Sequence, residues 1–265
     1  MIAVLRVAAV AGLIVCGVGL VWYYKSGHVT PRAVTVAPVN ENTWIDQLYT
    51  ANPAEVEAAT RQLHELGPRA LPLIHQTFQD PGASTARVKA ALKACAILGP
   101  VAASAIPEVA EQLPDPTLTA EAAVALSFMG RAAFGPLRDA LSSDDPVVRR
   151  EALRSIGKLK ERAPLDARAV VPLLIKSVTD SDAGVRAVAV TYLGIIHEGG
   201  TEAVDALVTA LKDQEVDVRR SAATALGSFG DAAAPAIPAL RKVAADPDPE
   251  VAREAGVTLV KLQAK

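Results

Sequence analysis

The sequence is poor in aromatic residues and in cysteines. Phe, Trp and Tyr make up 4% of its 265 residues, although 51% of the residues are hydrophobic. Alanine, leucine and valine carry the apolar content instead, and this composition favours packed helices over a β-sandwich, because strands are rich in aromatic residues. The two cysteines, Cys16 and Cys95, lie in different regions of the chain, which excludes a disulfide framework.

An excess of positive charge is also absent. The chain has 27 Lys and Arg against 29 Asp and Glu, and its formal net charge is −2. Leaving out Arg6, which belongs to an apolar N-terminal segment, makes the remainder slightly more acidic. A protein that binds nucleic acid needs a basic patch or stripe, so we expect no nucleic-acid partner.

Charges are missing altogether from residues 7–24, VAAVAGLIVCGVGLVWYY, which follow a short N-terminal flank at residues 1–6. As a helix these 18 residues would span about 27 Å, close to the roughly 30 Å hydrocarbon core of a bilayer. Trp22, Tyr23 and Tyr24 lie at one end, where aromatic rings favour the headgroup level. The segment is predicted to be a transmembrane helix that serves as an uncleaved signal anchor.

A cleaved signal peptide and a lipoprotein signal are the two alternatives. The apolar core of a cleaved signal is usually shorter, and the nearest candidate cleavage site, which ends at Ala37, is followed by a proline. For a lipoprotein signal, Val15 precedes Cys16, whereas glycine, alanine or serine is normal at that place. Both features favour the anchor.

The side of the membrane is only weakly determined by the sequence. Basic residues flank the apolar segment at both ends, so the positive-inside rule nearly ties. A short flank before a long folded region is a common layout for a single-pass signal anchor whose folded region is exported, to a periplasmic or extracytoplasmic side. Residues 25–41 contain two prolines and no helical period, which predicts an extended linker.

A repeat occupies the rest of the chain. Seven segments align on one apolar core position, at steps of 30 to 37 residues: Leu63, Cys95, Leu126, Ile156, Leu193, Leu226 and Leu259. Eleven residues earlier, six of the seven have a residue that favours helix N-caps, and the other has a glutamate: Asn52, Ser84, Asp115, Asp145, Asp182, Glu215 and Asp248. Four of these are followed by a proline suited to the first helical position: Pro53, Pro116, Pro146 and Pro249.

A second helix is predicted in each unit. Its apolar residues recur at i, i+3 and i+7, as in Leu71, Ile74 and Phe78, which gives one stripe to bury. A helix tolerates proline only within its first turn. In five of six units a proline lies near the start of the stripe: Pro72, Pro107, Pro136, Pro172 and Pro238. Two such helices cannot bury their stripes alone, so stacked units are expected to form an α-solenoid.

The segments resemble HEAT repeats of the short type named for phycobilisome lyases, with the pattern D-P-x-V-R-x-x-A-x-x-x-L-G. The clearest matches are DPVVRREALRSIG at 145–157, DAGVRAVAVTYLG at 182–194 and EVDVRRSAATALG at 215–227. The resemblance covers residues 42–265. It implies an all-α, HEAT-type α-solenoid of about six two-helix repeats plus capping helices, preceded by the one transmembrane helix.

Both ends of the repeat region predict a solitary helix. Residues 42–50, with Trp44 and Leu48, have the pattern of a second helix that caps the first unit. Residues 249–263 have the pattern of a first helix with no second helix after it. One unit departs from the others, because residues 160–170 add about four residues between its helices. This insertion is interpreted as a tolerated loop, with a contact loop as the alternative.

Two His-Glu pairs raise the question of a metal site: His64-Glu65 and His197-Glu198. In deoxyhypusine hydroxylase, a metal enzyme of HEAT type, such pairs lie in the middle of the first helix, and the matching positions here are Arg150-Glu151, Arg220-Ser221 and Arg253-Glu254. Arginine cannot lose its proton to bind a metal. The two pairs themselves lie at helix exits four units apart. We therefore expect no metal, no cofactor and no catalytic residue.

The function predicted from these features is a membrane-anchored, non-catalytic scaffold for protein–protein interaction. Cys95 occupies a core leucine position and is interpreted as a small buried hydrophobe rather than a nucleophile. The chain is therefore predicted not to be an enzyme. The alternative is an enzyme or enzyme accessory of the bilin-lyase-like HEAT type, in which the repeat serves as the scaffold.

The resemblance also suggests where an unidentified protein partner would bind. Second helices line the concave side of HEAT-type solenoids, so their exposed positions are the predicted contacts: Gln76, Glu111, Arg138, Asp139, Ile175, Lys176, Val208, Arg241 and Lys242. One row of these positions is polar or acidic in the N-terminal half and partly basic in the C-terminal half. The alternative is an ordinary solvated face. In a groove of divided polarity for a protein segment, Ile175 and Val208 are the predicted apolar contacts in its middle.

Overall fold

The computed structural model describes residues 20–21, 32–33, 43–163 and 165–263, and it divides the chain into two compact units, 1–43 and 44–265. In the first unit, β1 (Leu20–Val21) pairs antiparallel with β2 (Arg32–Ala33). Leu20 and Val21 are therefore extended, whereas the predicted transmembrane helix would make them helical. The rest of that predicted helix at 7–24, and of the linker at 25–41, lies outside the described residues.

The second unit is an all-helical solenoid. It opens with the capping helix α1 (Thr43–Gln47), in which Trp44 and Ile45 are buried. The first helices of successive units are α2 (Pro53–Leu66), α4 (Thr85–Leu98), α6 (Thr119–Phe128), α8 (Pro146–Arg162), α10 (Ala183–Ile196), α12 (Val216–Leu226) and α14 (Pro249–Gln263). The second helices are α3 (Leu71–Gln79), α5 (Ile106–Glu111), α7 (Phe134–Ala140), α9 (Ala167–Ser177), α11 (Gly200–Ala210) and α13 (Ile237–Val243). The described part thus contains the six two-helix units and the two solitary helices that the repeat predicts.

Most of the predicted N-caps are confirmed. The side-chain oxygens of Asn52, Asp145 and Asp182, for example, accept hydrogen bonds from amides two or three residues later. Asp115 was predicted to cap a helix as well, and this was wrong. Its carboxylate accepts bonds from the amide and hydroxyl of Thr117 at 2.8 Å, so a turn forms there and α6 begins at Thr119.

The prolines before the second helices mark a short entry turn. Segments of 3₁₀ helix at Gly67–Ala70, Gly99–Ala105 and Gly230–Ala236 lead into α3, α5 and α13, so that Pro72, Pro107 and Pro238 lie in the first α-helical turn as predicted. In α9 the prediction of a first-turn position is wrong. That helix begins at Ala167, where Asp166 caps it, and Pro172 lies inside it.

The first helices approach one another closely because small residues lie between them. Gly157 of α8 lies against the ring of Tyr192 in α10, where a Cβ atom would overlap that ring. A Cβ atom at Gly194 would lie 2.7 Å from the Cβ atom of Ala225 in α12. The buried residues form one continuous apolar cluster that runs from α1 into α14. This packing explains why the sequence needs so few aromatic residues.

Repeated ion pairs join the units of the C-terminal half. In each pair an arginine near the start of a first helix donates two hydrogen bonds, from Nε and Nη2, to an aspartate in the turn before the next first helix: Arg149 to Asp180, Arg186 to Asp213 and Arg219 to Asp246. The Nη1 atom of each arginine also donates hydrogen bonds to two backbone carbonyls, as Arg149 does to Ser143 and Asp144. Each aspartate in turn accepts a hydrogen bond from the backbone amide of the residue two positions after it. We call these pairs the Arg–Asp ladder.

One helical run among the described residues, Thr85–Glu111, is long and apolar enough to cross a membrane by length and composition. It comprises α4, the following 3₁₀ segment and α5. Within it, 56% of the most apolar window is buried inside the solenoid. The apolar character of this run is what a core helix requires.

Candidate interaction surface

The first helices present one continuous solvent-facing surface, which we call the first-helix face. It consists of the residues two positions before and two positions after each core position: Arg61, Glu65, Lys93, Ile97, Val124, Phe128, Arg154, Lys158, Thr191, Ile195, Thr224, Ser228, Val257 and Lys261. Val124, Phe128, Ile195 and Val257 are large apolar side chains that are 39% to 47% exposed. This face therefore combines apolar, basic and hydroxyl side chains.

A groove of about 720 Å³ crosses the C-terminal part of the first-helix face. Its walls come from three successive first helices, α10, α12 and α14, so this side of the solenoid is recessed. Four hydroxyl side chains line it together with Ile195: Thr191, Ser221, Thr224 and Ser228. The groove thus offers hydrogen-bonding groups around a partly apolar floor.

The charged groups of this groove balance one another. Arg253 donates two hydrogen bonds to Glu250 and lies 2.8 Å from Glu254, while Arg220 pairs with Asp217 on its own helix. The hydrogen bonds from Arg253 hold the pKa of Glu250 below its ordinary value. A ligand of this groove would meet paired arginines rather than free cations.

A smaller apolar recess of about 260 Å³ lies near the N-terminal end of the same face. Tyr49, Leu92 and Val124 contribute to its lining. At its edge, Lys89 and Glu121 form an ion pair at 2.7 Å between α4 and α6, and hydrogen bonding to Glu121 raises the pKa of Lys89. Two recesses on one face make the first helices a candidate binding surface.

The nine residues predicted as partner contacts lie on the second helices, as expected. Seven of them are exposed: Gln76, Glu111, Arg138, Asp139, Lys176, Arg241 and Lys242. Ile175 and Val208 are half-buried and pack against the apolar core, so they offer less contact area than the prediction assumed. Arg138 and Asp139 pair with each other at 2.8 Å. Partner binding at these positions stays a prediction, while the groove described above lies on the first-helix side.

The predicted His-Glu pairs lie at exposed helix ends. His64 is in the last turn of α2, and His197 follows α10 with a left-handed backbone, φ 40°. Glu198 pairs with Lys160 at 3.3 Å. Among the described residues no group of three or more His, Cys, Asp and Glu side chains could hold a metal ion.

Cys95 is fully buried in α4. Burial, together with the nearby charge of Glu108, raises the pKa of its thiol to about 12. A thiol with so high a pKa carries almost no thiolate at neutral pH, which fits the interpretation of Cys95 as a core residue.

A hydrogen-bonded chain between the first two units escaped the sequence analysis. His75 Nδ1 lies 2.7 Å from Glu108 Oε1, and His75 Nε2 lies 3.1 Å from Ser104 Oγ. The three residues come from two neighbouring units, 29 and 33 positions from the histidine. A repeat spacing near 33 could have paired His75 with Glu108, but nothing in the sequence singles out that pair.

Comparisons with known proteins identify the repeat. A family model described as HEAT repeats matches residues 134–217 and 171–260. No curated protein matches the chain. Solved structures with a similar fold include an engineered protein at 21% identity and TM-score 0.50, covering 86% of this chain and 69% of that one. The phycocyanin lyase complex from Nostoc sp. has 23% identity and a TM-score of 0.49, and the match covers 58% of this chain and 98% of that one. Human deoxyhypusine hydroxylase has 19% identity and a TM-score of 0.40, and the match covers 84% of this chain and 85% of that one. At 21% identity, the likeness to the engineered protein shows the fold alone.

Proposed function

We propose that this chain, which contains HEAT repeats within residues 134–260, is a membrane-anchored, non-catalytic scaffold that binds a partner protein through its first-helix face. The observation that carries the proposal is the groove of about 720 Å³ built by α10, α12 and α14. Three helices from three units wall it, so its shape follows from the stacking of the repeats. A rigid solenoid of this kind can hold an extended surface ready for a partner.

The composition of the first-helix face supports a protein as the ligand. Phe128, Ile195 and Val257 are exposed there beside arginines such as Arg154. Aromatic residues and arginine are enriched in protein interfaces and in their energetic hot spots. Exposed apolar side chains that recur on one face also need a covering partner more than scattered ones do.

The membrane anchor is part of the proposal and rests on the sequence. Residues 7–24 are 18 uncharged residues with three aromatic side chains at one end. We propose the exported side for the folded region, as in a single-pass signal anchor. The partner is then a protein of that compartment or of the same membrane.

The experiment is recovery of partners by the full-length anchored chain, through proximity labelling followed by extraction in a mild detergent. The variant Thr191→Trp fills the groove with a bulky side chain at an exposed position of α10. The matched control is Thr209→Trp on α11, whose hydroxyl makes the same bond to the carbonyl four residues earlier. We expect Thr191→Trp to lose a partner that the control retains. Recovery of the same partners by both variants would contradict the proposal.

A catalytic function is the second candidate, and one observation favours it. Ser104, His75 and Glu108 are hydrogen-bonded in the order of a hydrolase triad, with an exposed serine at one end. If the serine is activated, a fluorophosphonate probe should label the wild-type chain and spare Ser104→Ala and His75→Gln. Equal labelling of all three proteins, or of none, removes this candidate and leaves the scaffold.

A further inference from the structure

Helix α8 is longer than its counterparts because of the insertion at residues 160–170. It has 17 residues, whereas α2, α4 and α10 have 14 each. The additional residues extend the C-terminal end of the helix to Arg162, six residues after the core position Ile156. The other first helices in the described part end closer to their core positions. The insertion, predicted as a loop, therefore adds helix at the centre of the first-helix face.

The added residues place a cation on an exposed aromatic ring. The guanidinium carbon of Arg162 lies 4.0 Å from the ring centroid of Phe128 in α6. Its Nη1 atom also donates to Ser127 Oγ at 3.2 Å. A guanidinium has five N–H donors, so most of the hydrogen-bonding capacity of Arg162 remains for a ligand, and the ring holds it in place.

Four basic residues follow one another along α8 at intervals of four: Arg150, Arg154, Lys158 and Arg162. Glu151 accepts two hydrogen bonds from Arg154 and lies 3.5 Å from Arg150, so it compensates the first two. Within residues 43–163 and 165–263, neither Lys158 nor Arg162 has a carboxylate within ion-pair distance. The C-terminal half of α8 therefore carries two cations without an ion-pair partner among the described residues, beside the carboxylate of Glu161.

Apolar side chains flank these cations on both neighbouring helices. Phe128, Lys158 and Ile195 occupy the same position, two residues after the core position, on α6, α8 and α10. These three helices pack side by side. The exposed fractions of Phe128 and Ile195 are 39% and 47%. A row across the face thus runs from apolar to basic to apolar.

We infer that this central patch, formed by Phe128, Arg154, Lys158, Arg162 and Ile195, binds an acidic segment of the partner protein in which carboxylates alternate with apolar side chains. The inference rests on the proposed function, because it names the chemistry of the partner. Charge complementarity selects the carboxylates, and the flanking rings and methyl groups select the apolar side chains.

The test uses the full chain in detergent micelles and a fluorescein-labelled peptide in which glutamate pairs alternate with leucines. Lys158→Glu with Arg162→Glu reverses two basic charges of the patch. The matched control, Arg168→Glu with Lys212→Glu, makes the same charge change at two exposed positions outside the first-helix face. We expect the first variant to bind the peptide at least about tenfold more weakly than the control, since charged contacts are lost and repulsion is added.

Three further ligands separate binding of an acidic segment from its alternatives. The same peptide with glutamine in place of glutamate should bind much more weakly to the wild-type chain. Tighter binding of a single-stranded oligonucleotide, or of vesicles rich in phosphatidylserine, would overturn the inference in favour of those ligands. Equal peptide binding by the two charge variants would overturn it as well. If partner recovery still depends on Thr191 in that case, the scaffold function survives and only the acidic segment is rejected.

Discussion

Gly157 allows α8 and α10 to approach closely, because its side chain is a single hydrogen atom. A Cβ atom at this position would overlap the ring of Tyr192, which is itself buried. We expect Gly157→Ala to lower the free energy of unfolding by about 1–3 kcal/mol, because overpacking outweighs the better helix propensity of alanine. Chemical denaturation followed by circular dichroism measures the change.

Gly256 in α14 is the matched control for that substitution. A Cβ atom built there has no neighbour within 4 Å. Gly256→Ala should therefore raise the free energy of unfolding by about 0.5–1 kcal/mol through helix propensity alone. If both glycines respond with the same sign, the close approach of α8 and α10 does not determine the effect.

The aspartates of the Arg–Asp ladder predict a loss of stability in acid. Hydrogen bonds from their arginines hold the pKa values of Asp180, Asp213 and Asp246 below the ordinary value. A lowered folded-state pKa gives stability that is present above the unfolded value of about 3.9 and is lost as the pH falls through the folded value. We expect the free energy of unfolding to decline below about pH 4.

Asp213→Asn tests this source of stability directly. It leaves Arg186 half-buried without its carboxylate and should cost on the order of 3 kcal/mol at neutral pH. The remaining decline in acid should also become shallower. Asp139→Asn, at an exposed ion pair, is the control and should change the unfolding free energy much less. A pH profile identical to that of the wild-type protein would contradict the prediction.

At the scale of the element, the helix starts and the buried stripes could be predicted from the sequence, since caps and apolar periods act locally. The start of α6 could not, because Thr117 competes for the carboxylate of Asp115. The length of α8 was also missed. Its last residues, KER, are good helix formers, but the repeat alignment assigns them to the insertion between the helices. The helix ends at Arg162, two residues before a proline.

The nine predicted contact residues on the second helices remain a predicted partner surface that can be separated from the first-helix face. Lys176 and Lys242 are exposed on α9 and α13. If the partner binds there, Lys176→Glu with Lys242→Glu should reduce its recovery by the full-length chain. Since the groove lies on the other helices, we expect recovery within about twofold of the wild-type level, which corresponds to less than 1 kcal/mol.

The groove on the first-helix face could not be predicted from the sequence. The groove residues Arg220 and Arg253 could be recognised as equivalent positions of the repeat. Which helices wall a groove depends on how closely successive units stack. That spacing is set by pairs such as Gly157 with Tyr192 and Gly194 with Ala225, which only the folded chain brings together.

At the scale of the whole molecule, the two halves of the solenoid differ in how their units are joined. The ladder arginines of the C-terminal half are replaced at the same position by Val56, Val88 and Thr119 in the N-terminal half. Thr119 donates instead from its hydroxyl to the backbone carbonyls of Leu113 and Asp115, just before α6. The N-terminal units therefore lack the bidentate arginine link of the ladder, and single side-chain pairs, His75 with Glu108 and Lys89 with Glu121, join them instead.

Hydrogen exchange should reveal this difference. In a solenoid each unit contacts only its neighbours, so a weaker link lowers stability locally. We expect amides of α2 to α5 to exchange at least about tenfold faster than those of α8 to α12, as measured by mass spectrometry of peptic fragments. Uniform protection along residues 53–226 would show that the ladder does not determine local stability.

The ladder also makes the C-terminal units interchangeable in evolution. Arg186 and Arg219 are 33 residues apart, as are Asp213 and Asp246, and each arginine reaches forward to the next turn. Duplication or deletion of one such unit in the gene therefore keeps one aspartate for every arginine. The length of the binding surface can change by whole units without leaving a buried charge unpaired, so selection on the partner can act on length before it acts on sequence.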